Sequence, residues 1–84
     1  MKPSEVLRSA RAKIEKPERW HVLGVIREAC PSQGAYYAAI DELHTACEPP
    51  DGESLAGWMR EGRTLAEVLS LFDRAIAAAE ARGE

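Results

Sequence analysis

Apolar side chains recur every three or four positions in three separate segments of the chain, which is the spacing of one helix face. The first segment covers residues 4–16. Its apolar positions are Val6, Leu7, Ala10 and Ile14. Ser4 suits the position that caps a helix amino end, and Pro17 disfavours the α region at the residue before it. We therefore expect a helix over residues 4–16.

The second segment covers residues 32–47 and begins at Ser32, another residue type that caps helices. A continuous apolar stripe runs along this segment at helical spacing. The positions in the stripe are Tyr36, Ala39, Ile40, Leu43, Ala46 and Cys47. The pattern predicts a second main helix, with the stripe turned toward the core.

The third segment, residues 65–81, has the clearest amino end. Thr64 and Glu67 form the pattern of a capping box, in which each side chain bonds to the backbone N–H of the other residue. We expect Leu71 and Asp73 to point outward. The stripe expected to face the core comprises Leu65, Val68, Leu69, Phe72, Ala75, Ile76 and Ala79.

Residues 18–30 fit two interpretations, because the apolar run VLGVI suits both a short buried strand and one side of a helix. The sequence offers such a strand no clear pairing partner. A helix would have Gly24 as its weak point. The residues that such a helix would turn inward are Trp20, Leu23, Ile26 and Cys30. We favour a helix or an irregular turn over the strand.

The segment between the second and third main helices carries turn signals. Residues 48–53 hold two prolines and an Asp-Gly pair, which predict a loop. Residues 54–60 predict a short helical turn, and Gly62 suits a helix carboxyl cap. Trp58 lies in this turn, and we favour a role as a core anchor against the last helix. An exposed contact for a partner is the alternative role.

These elements predict an all-α fold, a small single-domain bundle over residues 1–84 with three main helices and one or two short helical turns. A chain of 84 residues, 45% hydrophobic and 30% charged, suits one soluble globular domain. The sequence has no apolar run of the roughly 18 residues that a membrane span needs. Its amino-terminal stretch is charged and lacks the apolar core of a signal peptide, so we expect a cytoplasmic protein without membrane association.

Catalytic and metal-binding residue types do not occur in the sequence at the spacing that their chemistry requires. Cys30 and Cys47 lack the paired spacing of a zinc site, and we interpret them as small buried hydrophobes with reduced thiols. We expect no catalytic residue, no metal and no cofactor. One polar helix flank, with Tyr37, Asp41 and His44, could serve a small-ligand binder or an enzyme if a pocket and a nucleophile accompany it.

The net charge of −3 is unevenly distributed along the chain. Residues 1–30 hold seven basic and four acidic residues, whereas residues 31–84 hold four basic and ten acidic residues. Two differently charged surfaces suit a protein partner, while the acidic balance of the whole chain disfavours direct nucleic-acid binding. The candidate protein-binding residues are Arg8, Arg11 and Lys16 for steering an acidic partner, Tyr37 and, if it is exposed, Trp20 as aromatic anchors, and Asp41, Glu42 and Asp73 for a basic partner.

Three stretches of the chain carry a family resemblance. They are VLRSARAKIEKPERW at 6–20, CPSQGAYYAAIDEL at 30–43 and SLAGWMREGRTLAEVLSLFDRAI at 54–76. In these stretches the chain resembles an uncharacterised family of small bacterial and bacteriophage proteins, a domain of unknown function. The resemblance implies a compact helical domain and a phage or mobile-element origin, and it implies no activity.

Size, charge and the absence of catalytic motifs in the sequence favour a small non-enzymatic protein-binding module. With the resemblance, they extend this hypothesis to a phage-encoded inhibitor of a host defence complex such as a CRISPR effector, an anti-CRISPR-like protein. Two alternatives stay open. One is a nucleic-acid-binding regulator that uses the basic first helix, and the other is a small-ligand binder or enzyme that uses the flank of Tyr37, Asp41 and His44.

Overall fold

The computed structural model describes residues 2–47 and 62–83, and these residues form helices and no strand. In chain order the helices are α1 (Pro3–Arg11), α2 (Arg19–Ala29), α3 (Gln33–Cys47) and α4 (Leu65–Ala81). The all-α prediction is therefore confirmed. The expected loop at 48–53, the expected turn at 54–60 and both predicted roles of Trp58 lie outside the described residues.

Helix α1 is shorter than residues 4–16, so both of its predicted ends are wrong. Pro3 occupies the first turn, where its missing N–H has no helical partner to lose, and Ser4 is a buried residue of that turn instead of its cap. At the other end, the N–H groups of Lys13 and Ile14 donate to carbonyls three residues back, which tightens the last turn after Arg11. Ile14 is still buried, because the chain turns it into the core after the helix has ended.

Helix α2 confirms the helical interpretation of residues 18–30, and the strand alternative is wrong. The inward face agrees with the one expected at Ile26 and differs from it at Trp20. Its buried residues are Val22, Val25 and Ile26. Leu23 is half-buried, whereas Trp20 is 68% exposed. These β-branched residues belong to the core, on the side of α2 that packs against α1, and the indole lies on the solvent side of the helix.

Helix α3 follows the prediction closely. The Ser32 hydroxyl accepts a hydrogen bond from the N–H of Ala35 at 3.2 Å, so Ser32 is the expected amino cap. The predicted stripe faces the core along the whole helix. Its buried members are Ala39, Leu43 and Cys47, and its half-buried members are Tyr36, Ile40 and Ala46.

Helix α4 has the predicted bounds. Its amino end is fixed by the capping box, in which both hydrogen bonds form. The N–H of Glu67 donates to the Thr64 hydroxyl at 3.2 Å, and the N–H of Thr64 donates to the Glu67 carboxylate at 3.1 Å. Just before the box, Gly62 has a φ of 74°, a left-handed conformation that favours glycine. Leu71, which we expected to point outward, is 1% exposed.

The correction at Leu71 follows from the position of α4, which packs against both α1 and α3. A helix with neighbours on two sides buries a wider arc than a single stripe. The core between these three helices includes Leu7, Leu43, Leu71 and Phe72. Helix α2 closes one side of this core against α1 and, more weakly, against α3, and it does not pack on α4 within the described residues.

Across the part of the chain that the structure describes, no helix has the length and apolar character that crossing a membrane requires.

Candidate functional site

The outward side of α2 carries an exposed surface of aromatic and basic residues. Trp20, Gly24 and Arg27 follow one another at spacings of four and three residues, which aligns them on one helix face, and all three are exposed. Tyr37, at the start of α3, is 56% exposed and lines the same corner of the molecule as Arg27. We call the surface formed by Trp20, Gly24, Arg27 and Tyr37 the aromatic face.

Trp20 is held in place by its neighbours, although most of its surface meets solvent. The Lys16 ammonium lies 5.7 Å from the centre of the indole ring, within the range of a cation–π contact. The ring of His21 meets the indole edge to face at 5.7 Å. His21 is itself fixed, because its Nε2 accepts the N–H of Glu15 at 3.1 Å. The indole therefore sits on an ordered support.

At the other end of the aromatic face, the corner between α2 and α3 encloses a shallow cleft of about 310 Å³. The Arg27 guanidinium lies 5.0 Å from the centre of the Tyr36 ring, and the rings of Tyr36 and Tyr37 meet edge to face at 5.7 Å. The Tyr37 hydroxyl accepts a hydrogen bond from the Gln33 amide at 3.2 Å. The residues that line the cleft are Arg27, Cys30, Pro31, Ser32, Gln33, Tyr36 and Tyr37.

The thiol in this cleft is poorly suited to nucleophilic chemistry. Burial raises the pKa of the Cys30 thiol, which disfavours the reactive thiolate. Burial also raises the pKa of Cys47, whose thiol donates to the His44 carbonyl at 3.2 Å. Both cysteines are free; Cys47 is buried as expected and Cys30 is only half-buried. Residues 2–47 and 62–83 contain no cluster of side chains that could hold a metal ion.

The predicted polar flank on α3 does not assemble into a site. Tyr37, Asp41 and His44 are all exposed on α3. Within the described residues, no hydrogen bond or ion pair joins Asp41 to either of the other two side chains. The Tyr37 hydroxyl instead bonds to Gln33, toward the cleft. This arrangement provides an exposed tyrosine for contact and no paired acid and base.

Three of the charged candidates form ion pairs between α1 and α4. The Arg8 guanidinium lies 2.5 Å from the Glu80 carboxylate. Nε of Arg11 lies 2.7 Å from Oδ1 of Asp73 without hydrogen-bond alignment, and Nη2 donates to Oδ2 at 3.2 Å. Arg8, Arg11 and Asp73 were expected on two separate charged surfaces, but they lie on one surface between α1 and α4. There Glu80 neutralises Arg8, and Asp73 neutralises Arg11.

The remaining charged candidates lie apart from these pairs. Glu42 is mostly buried and forms an ion pair with Arg82 beyond the end of α4. Asp41 is exposed beside it on α3, and Lys16 is exposed beside Trp20. Of the basic candidates, Lys16 is therefore the one that adjoins the aromatic face.

Sequence reasoning selected Trp20 and Tyr37 but missed Arg27 and Gly24. The missing signal was their register with Trp20, since residues 20, 24 and 27 share one side of any helix that spans them. The expectation that Trp20 faces inward conceals this alignment with Gly24 and Arg27. Once the indole points outward, the two neighbours on the same face become part of the site.

A protein-family model described as a family of unknown function, DUF6197, matches residues 15–78. The match includes α2, α3 and most of α4, and therefore all four residues of the aromatic face. No curated protein and no solved structure matches the chain.

Proposed function

Since the chain belongs to a family of unknown function, DUF6197, we propose from its geometry that it is a small non-enzymatic module that binds a protein through the aromatic face. The observation that carries this proposal is the exposure of Trp20, at 68%, on an ordered helix. An indole in water is unfavourable relative to a buried one, and the core of this domain is filled by other residues.

The composition of the aromatic face supports a protein as the ligand. Tryptophan, tyrosine and arginine are the residue types enriched among those that dominate binding energy at protein interfaces. Trp20, Arg27 and Tyr37 supply one of each, and all three are exposed. In this proposal Trp20 and Tyr37 anchor the partner, Arg27 bonds to its polar groups, and Lys16 contributes charge at the edge.

The charged residues of α1 and α4 have a smaller role in this proposal than the sequence suggested. Arg8 and Arg11 already bond to Glu80 and Asp73, so a partner that recruited them would have to break these pairs. The same pairing weakens the alternative of a nucleic-acid-binding regulator that uses the basic first helix. The alternative of an enzyme or a small-ligand binder has support only from the shallow cleft, whose thiol has a raised pKa.

A narrower hypothesis is that the protein inhibits a host defence complex such as a CRISPR effector. Its support is the small size of the chain and the resemblance to phage and bacterial proteins. It would be tested by adding the purified protein to a purified effector complex and measuring target cleavage. Unchanged cleavage across a panel of effectors would count against this hypothesis and leave protein binding through the aromatic face unaffected.

The test of protein binding compares three forms of the full chain as bait: wild type, Trp20→Ala, and Arg74→Ala as the matched control on the exposed side of α4. Proteins captured from a bacterial lysate by the wild type are identified by mass spectrometry, purified and titrated against each form. We expect a partner whose dissociation constant rises at least about tenfold with Trp20→Ala. The Arg74→Ala variant should bind as the wild type does.

Two outcomes would overturn the proposal. The first is that every captured protein binds wild type and Trp20→Ala with equal affinity in the titration, including the chain itself as a candidate partner. The second is that the purified protein turns over a small molecule and loses that activity with His44→Ala. Circular dichroism of each variant ensures that a change in binding does not reflect unfolding.

A further inference from the structure

Gly24 occupies the middle of α2 and the centre of the aromatic face, yet no neighbour among the described residues requires glycine there. A Cβ atom built at this position would meet no atom of residues 2–47 and 62–83 within 4 Å. The backbone of Gly24 is helical and is not among the positive-φ glycines of the chain. A helix with glycine in its interior is less stable than the same helix with alanine there. A close approach by a group from outside the chain would account for its presence.

The residues around Gly24 are complementary to themselves when two copies of α2 run antiparallel. Trp20 and Glu28 lie four positions before and four positions after Gly24. An antiparallel copy that crosses at Gly24 therefore brings Trp20 beside Arg27 and Glu28 of the second copy. A two-fold axis repeats the contact on the other side of the crossing.

The chemistry of these neighbours fits. A guanidinium beside an indole face forms a cation–π contact, and Arg27 already makes one with Tyr36 in its own chain. The indole N–H needs an acceptor when it is covered, and the exposed Glu28 carboxylate of the second copy can accept it. Each copy thus supplies an aromatic ring at one end of the crossing and a basic and an acidic side chain at the other.

We propose that the chain self-associates through α2, as an antiparallel pair of helices that cross at Gly24. This inference rests on the proposed function, because it names a second copy as a protein that the aromatic face binds. Helix α2 has 11 residues, which makes it about 16 Å long. Such a short contact buries less area than a standard interface, so the dimer is reversible, with a dissociation constant in the micromolar range or weaker.

Sedimentation equilibrium of the full chain, from about 10 µM to about 1 mM, tests this inference. The wild type should shift from monomer to dimer across this range. Gly24→Leu, which places a bulky side chain at the crossing, and Trp20→Ala should each weaken the dimer at least about tenfold. Ser70→Leu is the matched control, because it adds the same side chain to the exposed side of α4 and should leave the dimer unchanged.

Disulfide trapping gives a second readout that depends on the geometry of the crossing. In a Cys30→Ala/Cys47→Ala background, Gly24→Cys places one thiol from each copy beside the two-fold axis, where a disulfide can form. Mild oxidation should cross-link this variant much faster than the matched Ser70→Cys variant. Equal rates for the two variants would exclude a crossing at Gly24.

The inference is overturned if the wild type stays monomeric up to about 1 mM, or if it forms a dimer that Gly24→Leu and Trp20→Ala leave unchanged. The proposed function survives either result if another protein binds in a Trp20-dependent way. It fails as well if neither the second copy nor any captured protein responds to Trp20→Ala. The two failures are therefore distinguishable.

Discussion

Charged and apolar residues have opposite roles in two regions of the molecule. One region is the layer formed by α1 and α4, and the other is the aromatic face. In the layer, arginines and carboxylates bond to one another between helices, as Arg11 does with Asp73, and the apolar residues are buried. On the aromatic face, Arg27 contacts an aromatic ring and Trp20 is turned to solvent. The location of a residue in the fold therefore decides whether it is available to a partner.

The largest expected difference between the two regions concerns the free energy of unfolding. Phe72 is 1% exposed in α4, so Phe72→Ala should lower this free energy by about 3–5 kcal/mol. Trp20→Ala should lower it by less than about 0.5 kcal/mol, because the side chain it removes is mostly in solvent. Urea denaturation followed by circular dichroism measures both changes.

If the larger truncation prevents folding, Phe72→Leu gives an intermediate loss that is still measurable. The contrast between the two regions would be wrong if Trp20→Ala destabilised the domain as strongly as a core truncation. In that case the indole would belong to the core, and the proposal of a binding surface on α2 would lose its main support.

The second prediction concerns the start of α4. Thr64→Ala should lower the free energy of unfolding by about 1 kcal/mol through loss of the amino cap. Thr64 and Glu67 bond to each other's backbone, so the double variant with Glu67→Ala should lose less than the sum of the two single losses. Strict additivity in the same urea experiments would mean that the box does not act as a unit.

The pH dependence of stability gives an independent measure of the same box. The N–H of Thr64 bonds to the Glu67 carboxylate and holds the pKa of that carboxyl below its usual range. A lowered pKa in the folded state stabilises the domain at pH values above the ordinary carboxyl pKa, and this contribution disappears as the pH falls through the lowered value. The stability difference between wild type and Glu67→Ala should therefore shrink on acidification.

The capping box also shows what the sequence could predict about the fold. Its two side chains are three residues apart, so a local pattern was enough to place the start of α4. The same holds for Ser32 at the start of α3. Helix α1 was placed less well, because Pro17 sets only a limit that the helix cannot pass and does not set where the helix stops.

The candidate site was only partly predictable, for reasons that involve distant parts of the chain. Apolar character alone suggested that Trp20 is buried, but whether α2 can bury an indole depends on the space beside α1 and α3. The ion pair of Arg11 with Asp73 joins residues 62 positions apart, and a charge count along the sequence does not reveal it. Leu71 was misplaced because α4 has two helical neighbours and not one.

The third prediction concerns Gly24, which should make α2 less stable than alanine would while it allows a close contact with a second chain. Gly24→Ala should raise the free energy of unfolding by about 0.5–1 kcal/mol, because alanine favours the helix and its Cβ meets no atom within 4 Å in the part of the chain that the structure describes. Thermal and urea denaturation at a low protein concentration, where any dimer is dissociated, measure the gain. A loss of stability would mean that the fold itself needs glycine at this position, and the argument for a close external approach would fail.

The fourth and smallest effect is expected in the ion pairs between α1 and α4. Arg11 and Asp73 are 39% and 59% exposed, and exposed pairs stabilise proteins by about 0.2–1 kcal/mol. Arg11→Glu and Asp73→Arg should each destabilise the domain slightly, and the double variant should recover most of the loss because it restores the pair with reversed charges. Salt should shrink the coupling, since surface charges are screened over about 8 Å at physiological ionic strength.

This charge exchange also tests the steering role predicted for Arg11 from the sequence against the ion pair that the structure shows. If Arg11 bonds mainly within the chain, the double variant binds a partner of the aromatic face at the wild-type rate, and the effects appear only in stability. If Arg11 instead steers an acidic partner, Arg11→Glu slows association, and the added Asp73→Arg substitution does not restore the wild-type rate. The second result would mean that the basic residues of α1 belong to the binding site. The two regions would then no longer differ in whether their charged residues are available to a partner.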